Sequence, residues 1–318
     1  MIFPTPSGTR DVLPVEMREL RAISEKLLGS FDEAGYGEVY TPAIEYEDVL
    51  SRGETGVEPA YRVFDEHGNV LALRQDMTVP IARVAATRYV NDEPPFRFSY
   101  MAHSYRAIQP HRGQMREFLQ AGVELIGSPA PDGTAEALTV ISRALDAAGL
   151  RDYTIAFGDS SLLRALLRGF GADDDRHGPV LHELATRDFV GLAKTLIDLG
   201  LSTEDEELIA KTLQTRGGPE VLDDLPAAAE GAVIGLRQVY EQLDPEVSKH
   251  VVFDLGLNRG LDYYTGAVFD VLHPSLGAPI GGGGRYDDLL RRFGRDLPAV
   301  GFGLGVDLLH LAIAGQDK

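Results

Sequence analysis

The stretch FRFSYMAHSYRAIQPHRGQMREFLQAGVELIG, Phe96 to Gly127, decides the fold. Two β-rich runs, FRFSYMAHSYR and MREFLQAGVELIG, flank the nine residues Ala107 to Met115, which contain Pro110 and Gly113. Aromatic and branched side chains suit strands and Pro and Gly suit turns, so the stretch predicts a long antiparallel hairpin. Successive strand residues face opposite ways, which puts Glu117, Leu119, Ala121, Val123 and Leu125 on one side and Arg116, Phe118, Gln120, Gly122 and Glu124 on the other. The first side is nearly continuous hydrocarbon. The second carries a polar row, Arg116, Gln120 and Glu124. A solvent-facing sheet has such a row, and so does a sheet that holds a ligand. Gly122 in its middle leaves the backbone bare and favours the ligand.

Working outward, Pro14 opens a helix whose apolar positions Leu20, Ile23, Leu27, Leu28 and Phe31 recur at three and four, with Gly35 as its stop. YRVFDEHGNVLALRQDMTVP predicts a strand, a turn at His67-Gly68-Asn69, a second strand and a helix from about Thr78. After the hairpin, TAEALTVISRALDAAGL predicts a helix ended by Gly149, and DYTIAFGDS a strand. Residues 172–249 are helical in pattern and acidic, which marks a small helical insertion between two parts of a core, 1–171 and 250–318. Strands return in VVFDLGL, LDYYTGAVFDVL and, beyond IGGGGRYDDLLRRFG, in PAVGFGLGVDLLHLAIAG, which runs into a last helix. Strands joined by hairpins, with helices segregated around them, predict an α+β fold on a mainly antiparallel sheet.

The composition narrows the chemistry. None of the 318 residues is Cys, so thiol nucleophiles, disulfides and thiolate metal sites are excluded, and a reducing cytosol is compatible. No metal site is expected. Thirty Lys and Arg against 49 Asp and Glu give a net charge of −19, which repels a phosphate backbone and disfavours nucleic acid as a general partner. The start MIFPTPSGTRDVLP has no export pattern and no apolar run approaches about 18 residues, so a cytoplasmic protein without membrane contact is expected.

The glycine-rich segments do not fit a nucleotide loop: IGGGGRYDDLL lacks GxxxxGK[ST], and GFGLG is not GxGxxG. Glycines instead let backbone pass close to a small ligand, with Arg285 and Tyr286 flanking it. A zwitterion bearing an imidazole needs carboxylates for its ammonium, an arginine for its carboxylate, and tyrosines or amides for its ring. Asp76 and Glu124 are candidates for the first task and Arg259 for the second. Tyr263, Tyr264, Tyr286 and Gln120 are candidates for the third. Plainer roles exist for several: Asp76 as a helix cap, Tyr263 as core, Arg285 as the partner of an acidic neighbour.

The ordered segments GTRDVLP, GYGEVYTPAIE, SYRAIQPHRGQMREFLQAGVELIG, RGLDYYTGAVFD, GGGRYDDLL and GFGLGVDLL resemble the motifs of class II aminoacyl-tRNA synthetases, and specifically the histidyl-tRNA synthetase family, over almost the whole chain. The resemblance implies that family's antiparallel fold and a homodimer built around Gly35 to Pro42. It also places Thr78, Gln120, Glu124, Arg259, Tyr264 and Tyr286 on histidine-binding positions, with Asp76 where the family has an ammonium-binding Glu, and Arg106 and Tyr263 beside them. Two departures fall on the ATP side. Ile108 stands where motif 2 has a Glu, and Asp307-Leu308 where motif 3 has the pair whose Arg clamps ATP. A charge donor of that kind is worth about 10²–10³ in rate. No anticodon-binding domain is expected after motif 3, and no tRNA.

A histidine pocket without its nucleotide partner is similar to the regulatory subunits of ATP phosphoribosyltransferase, a paralogous group in histidine biosynthesis. That resemblance implies a non-catalytic, cofactor-free protein required by a short catalytic subunit. It further implies a hetero-octamer and feedback inhibition by L-histidine. Arg106, Arg116 and Arg259 keep a second reading open, a truncated synthetase-like enzyme forming histidyl-adenylate for an acceptor other than tRNA.

Overall fold

The computed structural model describes residues 3–53, 61–107, 115–173, 176–260 and 263–316. Helix α1, Pro14–Glu33, starts on its proline and buries Leu20, Ile23, Leu27 and Phe31. It ends before Gly35, whose φ of +84° an L side chain rarely adopts. Short strands β1 (Gly37–Glu38) and β2 (Ile44–Tyr46) and helix α2 (Glu47–Leu50) follow, then the hairpin β3 (Arg62–Phe64) and β4 (Val70–Leu73). Asp65 accepts the amides of His67 and Asn69 across the turn of that hairpin. Helix α3 (Thr78–Arg88) leads into the long hairpin β5 (Phe96–Tyr105) and β6 (Glu117–Ile126). Helix α4 (Asp132–Ala148) closes on Gly149, and β7 (Thr154–Asp159) precedes α5 (Leu162–Gly169).

Residues 172–249 carry helices α6 (His177–Thr186), α7 (Phe189–Asp198) and α8 (Thr203–Gln214), strand β8 (Arg216–Gly217), and helices α9 (Glu230–Glu241) and α10 (Pro245–Ser248). Their apolar side chains, Leu184, Leu196, Ile209 and Leu236 among them, belong to the same core as the sheet. Strands β9 (Val251–Asp254), β10 (Ala267–Leu272), β11 (Gly281–Arg285) and β12 (Ala299–Gly305) complete the set before helix α11, Val306–Gly315. No helix among the described residues is long and apolar enough to cross a membrane.

Nine strands form one sheet in the order β1-β5-β6-β12-β11-β10-β7-β9-β8, and β2-β4-β3 form a small second one. The pairs β1–β5 and β7–β9 are parallel, and the other pairs in the large sheet are antiparallel. The α+β fold on a mainly antiparallel sheet, expected from the hairpins, is the one observed. Alternation in β6 sends Ala121, Val123 and Leu125 into the main core with α1 and α4. The opposite face is covered as well: Met77, Ile81 and Ala85 of the α3 region pack with Phe96, Phe98, Tyr100, Tyr263 and Tyr286 into a second apolar cluster. Of the polar row, Glu124 is therefore shut off from solvent, at 1 % exposed, while Gln120 and Arg116 are half-buried.

Strand β11 is the element that local propensity hides, because its sequence is GGGGR. Glycine is a poor strand former, yet β11 lies at the centre of the sheet, fully paired on both sides. Its neighbours supply the reason. A Cβ at Gly281 would collide with the Gly303 carbonyl, and one at Gly283 with the Gly301 carbonyl. Pairing of this kind replaces what propensity lacks.

Candidate functional site

Cross-strand register lays a bare strip across the sheet. On the face opposite the main core, Glu124 pairs with Gly301, which pairs with Gly284. In the next row Tyr100, Gly122, Gly303, Gly282 and Asp270 stand side by side across five strands. Each glycine lies beneath a side chain borrowed from a neighbour. A Cβ on Gly301 would meet Glu124 Oε2, on Gly303 the Gln120 amide, on Gly282 Arg259 Nη1 and Asp270 Oδ1, and on Gly284 the Tyr264 ring. Carboxylate and amide thus lean over β12 while guanidinium and phenol lean over β11, and adjacent strands are about 4.8 Å apart. Groups of opposite charge preference therefore stand over adjacent strands.

The acidic side is built from two elements. Glu124 Oε1 accepts from the Thr78 hydroxyl at 2.7 Å, and Oε2 accepts from the Tyr286 hydroxyl. Asp76, just before α3, accepts the Val79 amide at 3.2 Å and faces the Tyr263 hydroxyl at 3.5 Å. One oxygen of Asp76 thus caps α3 while the other faces Tyr263. Burial pushes the Glu124 carboxyl up to about 8, against the pull of the Tyr286 and Thr78 hydrogen bonds, and the nearby Asp76 charge adds to the rise. Burial also raises Asp76, and the Val79 amide and the Arg106 charge oppose it. Two desolvated carboxylates in one recess favour a cation there.

The basic side is Arg259. Its Nη1 donates to the Phe269 carbonyl at 3.2 Å and pairs with Asp270. The Arg259 charge and hydrogen bond pull the Tyr264 hydroxyl down against the larger effect of burial, which raises it. Tyr263 meets Tyr264 and Tyr286 edge-on at 4.9 and 5.9 Å between ring centres. Burial holds the hydroxyls of Tyr100, Tyr263 and Tyr286 well above the ordinary tyrosine range, so they remain O–H donors. Gln120 Oε1 accepts from the Ser104 hydroxyl at 3.2 Å.

The structure thus brings Asp76, Thr78, Gln120, Glu124, Arg259, Tyr263, Tyr264 and Tyr286 around one recess. Arg106 stands at its exposed rim, where Nε donates to the Gln75 carbonyl and the guanidinium lies 5.1 Å from the centre of the Phe118 ring. Arg285 does not join the recess. Its Nη1 is held at 3.1 Å by the Ser128 carbonyl and at 3.3 Å by Asp287, the plainer of its two roles. Sequence reasoning missed Asp270 and Tyr100. The available signal for Asp270 was a carboxylate inside the apolar run AVFDVL. Ile108, Pro110, Gly113 and most of the loop between Ala107 and Met115 lie outside the described residues. At the start of α11, Asp307 accepts from Arg10 at 2.6 Å and from the Leu119 amide at 3.3 Å, while Leu308 packs against the main core. Neither offers a cation to a polyphosphate.

The family model described as histidyl-tRNA synthetase matches residues 8–309. The ATP phosphoribosyltransferase regulatory subunit of Desulforamulus reducens is 38% identical over 96% of this chain and 78% of its own length. Proteins from Moorella thermoacetica and Shouchella clausii carry the same name. The histidine–tRNA ligase of Thermococcus kodakarensis is 37% identical over 95% of this chain and 72% of its own. A crystal structure from Bacillus halodurans, described as an ATP phosphoribosyltransferase regulatory subunit/histidyl-tRNA synthetase, superposes with a TM-score of 0.90 at 32% identity, covering 98% of this chain and 83% of that one. With the motifs, the sheet and the recess in agreement, this chain belongs to the histidyl-tRNA synthetase family.

Proposed function

We propose that this chain is the regulatory subunit of an ATP phosphoribosyltransferase and that its recess binds L-histidine. The observation that carries the proposal is the placing of Glu124 over Gly301 and of Arg259 over Gly282 on adjacent strands, together with a motif 3 segment whose Asp307 and Leu308 are engaged elsewhere. In this reading Glu124 and Asp76 take the ammonium, and Arg259 the carboxylate. The tyrosines and Gln120 surround the ring, with Thr78 positioning Glu124 and Arg106 guarding the rim. The subunit is non-catalytic, acts in the cytoplasm, and joins a short catalytic subunit in a hetero-oligomer, a hetero-octamer, around its own homodimer. Residues 1–171 and 250–318 form the synthetase-like core in this scheme, and 172–249 the helical insertion. The names of the relatives over nearly the whole chain support it.

Histidine inhibits by binding the inhibited arrangement of the complex more tightly than the active one, a coupling of typically about 1–3 kcal/mol. Calorimetry of histidine with the full chain, and with Glu124→Ala and Arg259→Ala, tests the pocket. Micromolar to millimolar binding lost in both variants is expected, and unchanged binding in either sinks the assignment. A second reading, histidyl-adenylate formation, draws support from Arg106, Arg116 and Arg259 and from the Thermococcus ligase. Histidine-dependent exchange of pyrophosphate into ATP by the isolated chain decides between them, and the regulatory reading expects none.

A further inference from the structure

Arg259 is shared. Its Nη1 hydrogens serve the Phe269 carbonyl and the Asp270 carboxylate, and the Tyr264 hydroxyl is bonded to the same guanidinium. Its Nε is buried and has no partner among the described residues. Asp270 is no distant counter-ion. It stands in the same cross-strand row as Gly282, Gly303 and Gly122, on the recess face, and a Cβ at Gly282 would meet both its Oδ1 and Arg259 Nη1. The guanidinium that is to receive a ligand carboxylate therefore already carries one, at the floor of the same recess.

We propose that Asp270 is a specificity-determining residue that competes with the ligand's carboxylate for Arg259. The proposal rests on the histidine reading of the pocket. A carboxylate arriving at Arg259 meets the like charge of Asp270, and in a largely buried site that repulsion is screened much less than in water. A plain acid gains nothing to offset it. A zwitterion does, because its ammonium reaches Glu124 and Asp76 on the other side of the strip. Asp270 thus weakens binding of every carboxylate, and the ammonium contacts restore it for α-amino acids alone. The Arg259 Nε, without a partner among the described residues, is a donor that Asp270 does not use.

Calorimetry on the full chain with two probes tests this: L-histidine, and histidinol, which keeps imidazole and amine but has no carboxylate. Asp270→Asn keeps the shape and removes the charge. It should tighten L-histidine by about tenfold, equivalent to about 1.4 kcal/mol, and leave histidinol within about twofold. Asp270→Glu keeps the charge and should not tighten L-histidine. Equal shifts for both probes in Asp270→Asn would mean a merely structural role and overturn the proposal, and so would weaker or unaltered histidine binding in that variant. Histidine binding to neither wild type nor Asp270→Asn would overturn the pocket reading itself, and this proposal with it.

Discussion

Glu124 concentrates the electrostatics of the site in one residue. Its folded carboxyl titrates near 8, whereas the ordinary value is 4.5. Below about pH 8 it holds a proton, and an ammonium ligand must displace that proton. Between pH 7 and 8, above the imidazole's own titration near 6.5, histidine affinity should rise by up to about tenfold per unit, the limit for release of one proton. Calorimetry in buffers of differing ionisation heat would show the release, and Glu124→Gln should abolish it together with most of the affinity. Stability runs the other way. A carboxyl whose folded value is raised stabilises the fold most below about pH 4.5, and that stabilisation is lost as pH rises through about 8. The loss is on the order of 5 kcal/mol. The unfolding midpoint of Glu124→Gln should therefore fall less between pH 5 and 9 than that of wild type, as read by scanning calorimetry. Glu124 and Gln120 were legible from sequence because strand alternation is strictly periodic. Asp270 was not, because its meaning depends on its contact with Arg259, which no local pattern encodes.

At the scale of elements, the strand β11 separates what propensity says from what pairing imposes. IGGGGR suggests a loop to any local rule, and only its pairing with β10 and β12 makes it a strand. The long hairpin β5–β6 and helices α1 and α4 were readable because each carries an unbroken period and a glycine stop. The two-residue strands β1 and β8 carry no period at all, and tertiary pairing alone defines them. The glycines give a test at this level. Gly282→Ala puts a methyl group where Arg259 Nη1 and the Phe269 carbonyl lie, whereas at Gly277 nothing stands within 4 Å. Gly282→Ala should destabilise by about 1–3 kcal/mol and lower histidine affinity by more than tenfold. Gly277→Ala should alter neither, and denaturant titration with calorimetry checks both.

Across the whole molecule, contacts join parts remote in sequence. Arg10 near the start pairs with Asp307 near the end, and α3 meets the segment after β11 above the sheet. If this chain regulates a catalytic partner, binding and activation are separable functions of one body. Glu124→Ala and Arg259→Ala complexes should keep catalytic rates within about twofold while histidine inhibition falls by at least tenfold. A phosphoribosyl transfer assay of the reconstituted complex, with and without histidine, measures both. Overall architecture was legible in the sequence through hairpins and helix stops. The joining of 172–249 to the main core was not, because acidic helices give no sign of which apolar face they share.

Room made for neighbouring side chains by leaving out Cβ atoms has an asymmetric history. Mutation at Gly122, Gly282, Gly284, Gly301 or Gly303 can only fill it, and no compensating change nearby can empty it again, since what each glycine faces is mostly main chain or the recognition groups themselves. These five positions therefore serve as a quick diagnostic across related sequences. On the histidine reading, a bulkier residue at any of them should abolish binding of L-histidine, which calorimetry on such a relative checks.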